Sequence, residues 1–299
     1  MKTILITGVN SYIGNAVERY LAKYNARGGS ELYRVEKVSL RDDRWRERSF
    51  AACDTLLHVA GIAHADVSNV SEERKALYYK VNRDLTEQVA LKARAEGVSQ
   101  FIFLSSVIVY GESAGPGGSK HITDQTVPAP ANFYGDSKLQ AEQRLQALET
   151  EDFHVAILRP PMIYGKGCRG NFAALVKLAS QTPVFPRVDN RRSMLYIENL
   201  AEFIRLLTET GMGGMFWPQN AEYVSTADMV CGIGRVKGRR IRLWRTLNLP
   251  VRVAAAIPGR IGKMARKAFG SLTIDLGLSD RGIADYRICS LEESIKRSI

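Results

Sequence analysis

The chain opens on an apolar run, Ile4-Leu5-Ile6, that stops at Thr7-Gly8, and short apolar runs closed by small or polar residues recur through its first half. They predict strands at 3–7, 33–40, 54–60 (DTLLHVA), 100–105 (QFIFLS) and 153–158 (FHVAIL). Unbroken apolar runs of this length suit strands covered by helices on both faces, as in a parallel sheet. Between them, 12–25, 71–96 and 133–149 place apolar residues at helical spacing with charge on the outer face. Ser71, with Glu72 and Glu73 behind it, offers the second of these a cap and an acidic first turn. The alternation is that of a Rossmann-type, doubly wound α/β sheet. Only residues 26–53 separate the first helix from the DTLLHVA strand, room for one strand and a short helix. The sheet is therefore expected to be shortened by one strand–helix unit. After LRPP (158–161) the rhythm changes, and YGKGCRGN, TPVFPRVDN and GMGGMFWPQN connect short elements. This predicts a main domain over 1–165 and a smaller lobe over 166–299, with 190–215 returning to the main domain.

Charge changes the picture in one place. The net charge is +11. From Met229 to Ile274 there is no Asp or Glu, while Arg235, Lys237, Arg239, Arg240, Arg242, Arg245, Arg252, Arg260, Lys263, Arg266 and Lys267 all fall there. Those eleven cations equal the whole surplus, so the rest of the chain is neutral. Such a segment attracts a diphosphate or an anionic membrane surface, or is simply a solvated face. With Trp244 and Phe269 as its aromatics it lacks a stacking platform, and nucleic acid is not an expected partner. Within it, 247–269 mixes apolar and cationic residues in a way suited to weak membrane-surface contact through 235–267. Pro250 and Pro258 break that stretch into short pieces. Cys53, Cys168, Cys231 and Cys289 are far apart with no CxxC pair, so neither a metal site nor a disulfide framework is expected. No apolar run spans a bilayer and the first residues turn polar too early for an export signal, which predicts a cytoplasmic protein.

The candidate chemistry begins in the turn TGVNSYIG (7–14), between a predicted strand and a predicted helix. Glycine-rich turns in that setting let backbone N–H groups and a helix N-terminus meet a pyrophosphate. Here Gly8 and Gly14 are present, and Ser11 stands where a middle glycine is usual, its hydroxyl able to hydrogen-bond phosphate. Alone, such a turn is often only structural. Tyr134 and Lys138, in YGDSK, share one helical face at i and i+4. A neighbouring cation favours phenolate, as an acid/base tyrosine needs, although the same pair also occurs on ordinary helix surfaces. FLSSVIVYG (103–111) closes a strand on two serines, and strand ends of open α/β sheets face the ligand crevice.

Taken in order, TGVNSYIG, HVAG (58–61), VN (81–82), SSVIVYG (105–111), YGDSK (134–138), LRPPMIYG (158–165) and YIENLA (196–201) resemble the extended short-chain dehydrogenases/reductases, the NAD-dependent epimerase/dehydratase family, over about two-thirds of the chain. The resemblance implies an NAD(P)-binding main domain, a substrate lobe, and a UDP-sugar substrate. It makes Tyr134 the general acid/base, Lys138 the holder of the nicotinamide ribose, and Ser106 the partner of the reacting sugar oxygen. It assigns the cofactor to Gly8, Asn10, Ser11, Tyr12, Ile13 and Gly14, to Ser39, Leu40 and Arg41 at the adenosine end, to His58, Val59, Ala60 and Gly61, and to Asn82, Ser105 and Pro160. His58 is expected to pack beneath the cofactor rather than catalyse, and Asn82 is equally readable as a buried structural amide. Val107, Asn171 and Arg192 fall where the family meets its substrate, and a guanidinium suits a diphosphate. The long helices 71–96 and 133–149 are where the family would pair as a homodimer.

Three features narrow the reading. Dehydratases of this family carry Asp-Glu after the active-site Ser/Thr, whereas Val107 and Ile108 stand here, and aliphatic groups transfer no protons. In VSLRDD, Ser39 and Arg41 lean toward NADP, since a cation accommodates the 2′-phosphate. TGVNSYIGNA, RPPMIYG followed by GNF, and DNRRSMLYI are similar to bacterial capsule and O-antigen reductases acting on UDP-4-keto-6-deoxy sugars. Expected, therefore, is hydride transfer between NAD(P)H and C4 of a UDP-(4-keto-6-deoxy-N-acetyl)hexose for surface polysaccharide synthesis. The alternatives are a UDP-hexose 4-epimerase with retained NAD and a noncatalytic dinucleotide sensor or scaffold.

Overall fold

The computed structural model describes residues 1–62, 70–283 and 285–299. Its first half runs β1 (Lys2–Thr7), α1 (Tyr12–Gly28), β2 (Tyr33–Val38), β3 (Thr55–His58), α2 (Glu72–Tyr79), α3 (Leu85–Ala95), β4 (Gln100–Leu104), the short β5 (His121–Ile122), α4 (Phe133–Gln146) and β6 (His154–Leu158). The second half holds β7 (Met162–Tyr164), α5 (Asn171–Gln181), β8 (Val184–Pro186), β9 (Met194–Tyr196), α6 (Ile197–Thr210), β10 (Gly214–Phe216), α7 (Thr226–Val236) and β11 (Arg242–Trp244). It ends with α8 (Asn248–Ala256), α9 (Arg260–Phe269), β12 (Thr273–Ile274), α10 (Leu276–Ser279) and α11 (Leu291–Ser298).

Six of these strands form one sheet in the order β10-β6-β4-β3-β1-β2, and every pairing in it is parallel. The five strands expected from the apolar runs are its five inner and leading members. The sixth, β10, lies inside GMGGMFWPQN, which reads as a connection; three residues paired at an edge leave too little pattern to see. From β2 the chain reaches β3 with a single 3-10 turn, Asp43–Arg46, between them, as the short 26–53 interval requires.

The alternation of side chains sorts the sheet's two faces. Ile4, Ile6, Leu57, Ile102, Ala156 and Leu158 enter one core with Val17 and Leu21 of α1 and Leu200, Ile204 and Leu207 of α6. Leu5, Leu56, Phe101, Phe103, Val155 and Ile157 enter the other with Val89, Ala90 and Ala93 of α3 and Ala141 and Leu145 of α4. Both faces are thus covered, the condition under which strands show runs rather than strict alternation. The direction of winding reverses between β1 and β3. A crevice beyond their carboxyl ends is the usual ligand position in such sheets.

Helix ends follow their sequence signals. Ser71 Oγ accepts from Arg74 N at 3.4 Å, and Glu72 and Glu73 occupy the first turn of α2. The predicted 71–96 helix is one rod with a π-turn at Lys80–Asp84 joining α2 to α3. Three small parallel pairs, β7–β9, β8–β11 and β5–β12, organise the rest. No helix among the described residues is long and apolar enough to cross a membrane.

Candidate active site

Most candidate residues of the first half follow a strand of the sheet, and Asn82, Tyr134 and Lys138 come from helical segments packed beside those strand ends. Gly8 leaves β1 at φ +85, which a side chain would strain, and its N–H donates to Val38 O at 2.9 Å, joining the turn to the end of β2. Ser11 caps α1, its Oγ accepting from Gly14 N at 3.3 Å. The hydroxyl hydrogen stays available, so capping and phosphate contact are compatible uses of one oxygen. Asn10 is exposed beside it, and Ile13 is half-buried in the first turn of α1. Tyr12 turns away: its Oη is buried near Gly165 without a hydrogen-bond partner among the described residues, and burial pushes its pKa up. Only the backbone of Tyr12 is thus presented to the turn.

Ser39, Leu40 and Arg41 follow β2. Ser39 Oγ accepts from Arg41 N at 3.3 Å. The two carboxylates just beyond are engaged elsewhere: Asp42 with Arg44 at 2.6 Å and Asp43 with Arg46 at 3.1 Å. The end of β2 therefore offers a hydroxyl and an exposed guanidinium.

His58 ends β3 fully enclosed, with Nδ1 3.1 Å from Thr7 Oγ1 and Nε2 3.0 Å from Thr86 Oγ1. Burial first, and the Lys138 charge second, lower its pKa to about 3, so the ring is neutral and ties β1 to α3. Its enclosure and its two threonine partners suit a structural role better than proton transfer. Val59, Ala60 and Gly61 continue along the edge, with Ala60 N donating to Thr7 Oγ1 at 3.3 Å. Asn82 sits in the π-turn with no exposure. Its Oδ1 accepts from Ile62 N at 2.8 Å, and its Nδ2 donates to Ile62 O and Ser137 Oγ, both at 3.1 Å. It clamps the strand-end loop to the helix that carries Tyr134 and Lys138. A Cβ on Gly61 would lie 3.1 Å from Asn82 Oδ1 and 3.5 Å from Lys138 Nζ. The backbone there lies close to the lysine, and a side chain at this position would crowd the Asn82 amide oxygen.

The reacting groups come from β4 and α4. Asn132 caps α4, accepting from Gly135 N at 3.0 Å, and sets Tyr134 in its first turn. Gly135 lets that turn rest on the 3-10 turn Val107–Tyr110, since a Cβ there would meet Ile108 O at 2.9 Å. Ser106 caps the 3-10 turn, its Oγ accepting from Ile108 N at 3.3 Å. Val107 N donates to Pro160 O at 3.1 Å, so the Ser105–Val107 bend is held along the residues that follow β6. Lys138 Nζ donates to Leu104 O at 2.9 Å and lies 4.5 Å over the Phe103 ring. Burial lowers the lysine to about 8, and Glu142 opposes that shift. Tyr134 is pushed up to about 12, by burial and then by Tyr78, whose ring centroid is 6.1 Å away. Desolvation thus governs the phenol, in the direction opposite to the lowering expected from Lys138.

Sequence reasoning missed what lies behind these groups. Glu142, one turn beyond Lys138, is buried and paired with Arg159 at 2.5 Å. It also accepts from the Ser105 hydroxyl. Arg159 Nη1 donates to Tyr110 Oη at 2.6 Å, which also receives Trp217 Nε1 at 3.0 Å. Burial works against the guanidinium, yet Glu142 and Tyr110 hold it above its ordinary value. The signal was available: Glu at i+4 from the lysine, and Arg at the end of a strand. Neither carries meaning until the fold sets α4 against β6.

The lobe's candidates come from α5 and from the segment before β9. Asn171 is exposed in the first turn of α5, and Arg192 is half-buried with Nη1 donating to Lys267 O at 2.5 Å and Ala268 O at 3.4 Å. Burial lowers the Arg192 pKa, and no carboxylate is paired with it among the described residues. Neither is hydrogen-bonded to Ser106, Tyr134 or Lys138. A cavity of about 480 Å³ in the lobe brings Arg187, Arg245 and Arg252 around Asp189 and Asp228, and it does not include the catalytic candidates.

Residues 4–215 match the model of the NAD dependent epimerase/dehydratase family, and the chain belongs to that family. The UDP-glucose 4-epimerase of Vibrio cholerae is 31% identical over 77% of this chain and 74% of its own length. The N-acetyl-alpha-D-glucosaminyl-diphospho-ditrans,octacis-undecaprenol 4-epimerase of Escherichia coli O157:H7 is 31% identical over 68% of this chain and 62% of its own. Among solved structures, MoeE5 in complex with UDP-glucose and NAD shares the fold at a TM-score of 0.70, with 16% identity over 99% of this chain and 97% of that one.

Proposed function

We propose that this member of the NAD-dependent epimerase/dehydratase family reduces the C4 ketone of a UDP-4-keto-6-deoxy-N-acetylhexose, using NADPH that enters and leaves with each turnover. The residues fit a dinucleotide: a left-handed glycine and a capped helix N-terminus after β1, and a glycine, Gly61, close to Lys138 where a side chain would crowd the Asn82 amide. NADPH would be held by the Gly8–Gly14 turn, by Ser39 and Arg41, and by Lys138 on its nicotinamide ribose, and would supply the hydride that turns the C4 ketone into an alkoxide. Tyr134 Oη gives the new alkoxide its proton, and Ser106 Oγ–H holds the oxygen in line. A phenol with a pKa near 12 is a stable donor until the alkoxide forms, and a protonated Lys138 favours the phenolate left behind. Arg192, short of an anionic partner, is the diphosphate ligand, and Asn171 and Val107 border the sugar. Dehydration is disfavoured because Val107 and Ile108, directly after Ser106, hold no proton to transfer.

The observation that carries this reading is the convergence of Ser106, Tyr134 and Lys138 on one sheet edge, on elements packed through Gly135 and Asn82. The end of β2 favours the reductase, since a hydroxyl and a free-standing guanidinium suit a 2′-phosphate better than a bare ribose. The relatives at 31% identity favour a second reading, 4-epimerisation of a UDP-hexose on retained NAD. Mass spectrometry of the nucleotide released on denaturation, with NADPH consumption on UDP-4-keto-hexoses, separates them. Consumption by the wild type, and a rise in KM for NADPH but not NADH in Arg41→Ala of about tenfold, are expected. Failure to oxidise NADPH with every UDP-4-keto-hexose overturns the reductase. Tightly held NAD with interconversion of gluco and galacto forms would establish the epimerase.

A further inference from the structure

The acid-free cationic segment folds into a shape its sequence only hints at. Pro250 falls in the first turn of α8, where a missing N–H costs nothing, and Pro258 falls in the turn to α9. The two helices form a hairpin. A Cβ on Gly262 would overlap the Ile257 carbonyl oxygen, so α9 crosses the end of α8 at backbone distance. Arg266 Nη1 donates to Ala255 O across the same crossing at 2.5 Å. On the outside, Leu249 and Val253 are four residues apart on α8, Ile257 follows directly after its end, and Ile261 and Met264 are three apart on α9. Their exposure runs from 42% for Ile257 to 68% for Leu249, and Trp244, just before the hairpin, is 49% exposed. Scattered exposed apolar residues need no explanation, but five of them at helical spacing through two helices in succession do. Lys263, Lys267 and Arg252 are exposed in the same hairpin. None of the cations described between Arg235 and Lys267 belongs to an ion pair.

We propose that this hairpin is a membrane-docking element that lays its exposed apolar residues into the surface of an anionic lipid bilayer. Apolar residues flanked by unpaired cations are the combination that partitions to a negatively charged interface: the apolar side chains leave water and the cations remain among headgroups. A second copy of the chain is a poor occupant, because a two-fold contact would set cationic rim against cationic rim. Docking would hold the substrate side of the enzyme to the surface. The C-terminal end of α9 receives Arg192, and Arg266 packs on Gly115 in the segment that follows Ser106 and its 3-10 turn. This inference is independent of which sugar is reduced.

The experiment uses the whole protein and vesicles of phosphatidylcholine and phosphatidylglycerol in equal parts, against phosphatidylcholine alone. Expected are co-sedimentation with the anionic vesicles at low salt, little with the neutral ones, and a blue shift of Trp244 emission that Trp244→Phe removes. Trp45 and Trp217 are buried and report little. The variant Val253→Ser/Ile261→Ser/Met264→Ser should lose at least about tenfold in vesicle affinity, with turnover of soluble substrate and thermal midpoint unchanged. No binding by the wild type, equal binding to neutral vesicles, or full binding by the triple variant overturns the proposal. So does a dimer that the triple variant dissolves, which would make a second copy the occupant. Should the triple variant fail to fold, the Trp244 shift in the wild type decides alone.

Discussion

The sheet edge around Tyr134 and the α8–α9 hairpin treat charge and apolar surface in opposite ways. At the edge, ionisable groups are taken out of water and each is given a partner: Lys138 a carbonyl, Glu142 a serine and an arginine, His58 two threonines. In the hairpin, Arg252, Lys263 and Lys267 stay exposed and, among the described residues, outside ion pairs, and the apolar residues are exposed as well. Desolvation makes the first region sensitive to single atoms, because an unpartnered group there bears its full burial cost. The second is insensitive in itself and complete only against something outside the molecule.

The largest effect expected is on chemistry. Tyr134→Phe removes one oxygen from the edge and should lower kcat about 10²- to 10⁴-fold, with circular dichroism and cofactor affinity preserved. A variant that keeps its rate would end the assignment of the proton to this phenol. Next comes stability. Glu142→Ala strands the Arg159 guanidinium in the interior, and breaking such a buried pair costs about 3–5 kcal/mol. The triple hairpin variant, by contrast, should stay within about 0.5 kcal/mol, as surface substitutions do. Urea titration of the two side by side sharpens the comparison, and equal losses would erase it.

The smallest effect is a pH dependence. His58 has its pKa depressed to about 3 in the folded protein, against 6.5 for the free side chain. Its contribution is present above pH 6.5 and is lost as pH falls, because the unfolded chain takes up a proton that the native site refuses. The wild type should therefore lose about 1.4 kcal/mol per unit below pH 6.5 relative to His58→Gln. Parallel curves for the two proteins between pH 7 and pH 5 would show that the ring is not held neutral.

Much of the edge was legible because most of its residues follow a strand, and strands announce themselves as apolar runs, while Tyr134 and Lys138 show as an i, i+4 pair on a helix. Gly8, Ser106, Tyr134 and Lys138 could be placed on turn, strand end and helix from local pattern alone. Glu142 and Arg159 could not, since seventeen positions separate them and only the packing of α4 beside β6 makes them a pair. The same holds for Tyr12, which motif reading places at the phosphate and the fold turns toward Gly165.

By itself the sequence determined a parallel sheet with five of its six strands, the helices between them, and the residue types available for proton and hydride chemistry. These depend on periodicity and on neighbours a few positions apart. Tertiary structure alone decided how each ionisable group is solvated: a phenol near 12, a lysine near 8, a histidine that stays neutral. It alone decided, too, that apolar residues of both α8 and α9 would be left exposed. Solvation depends on what surrounds a group from every side, and in a folded chain most of that comes from residues distant in sequence.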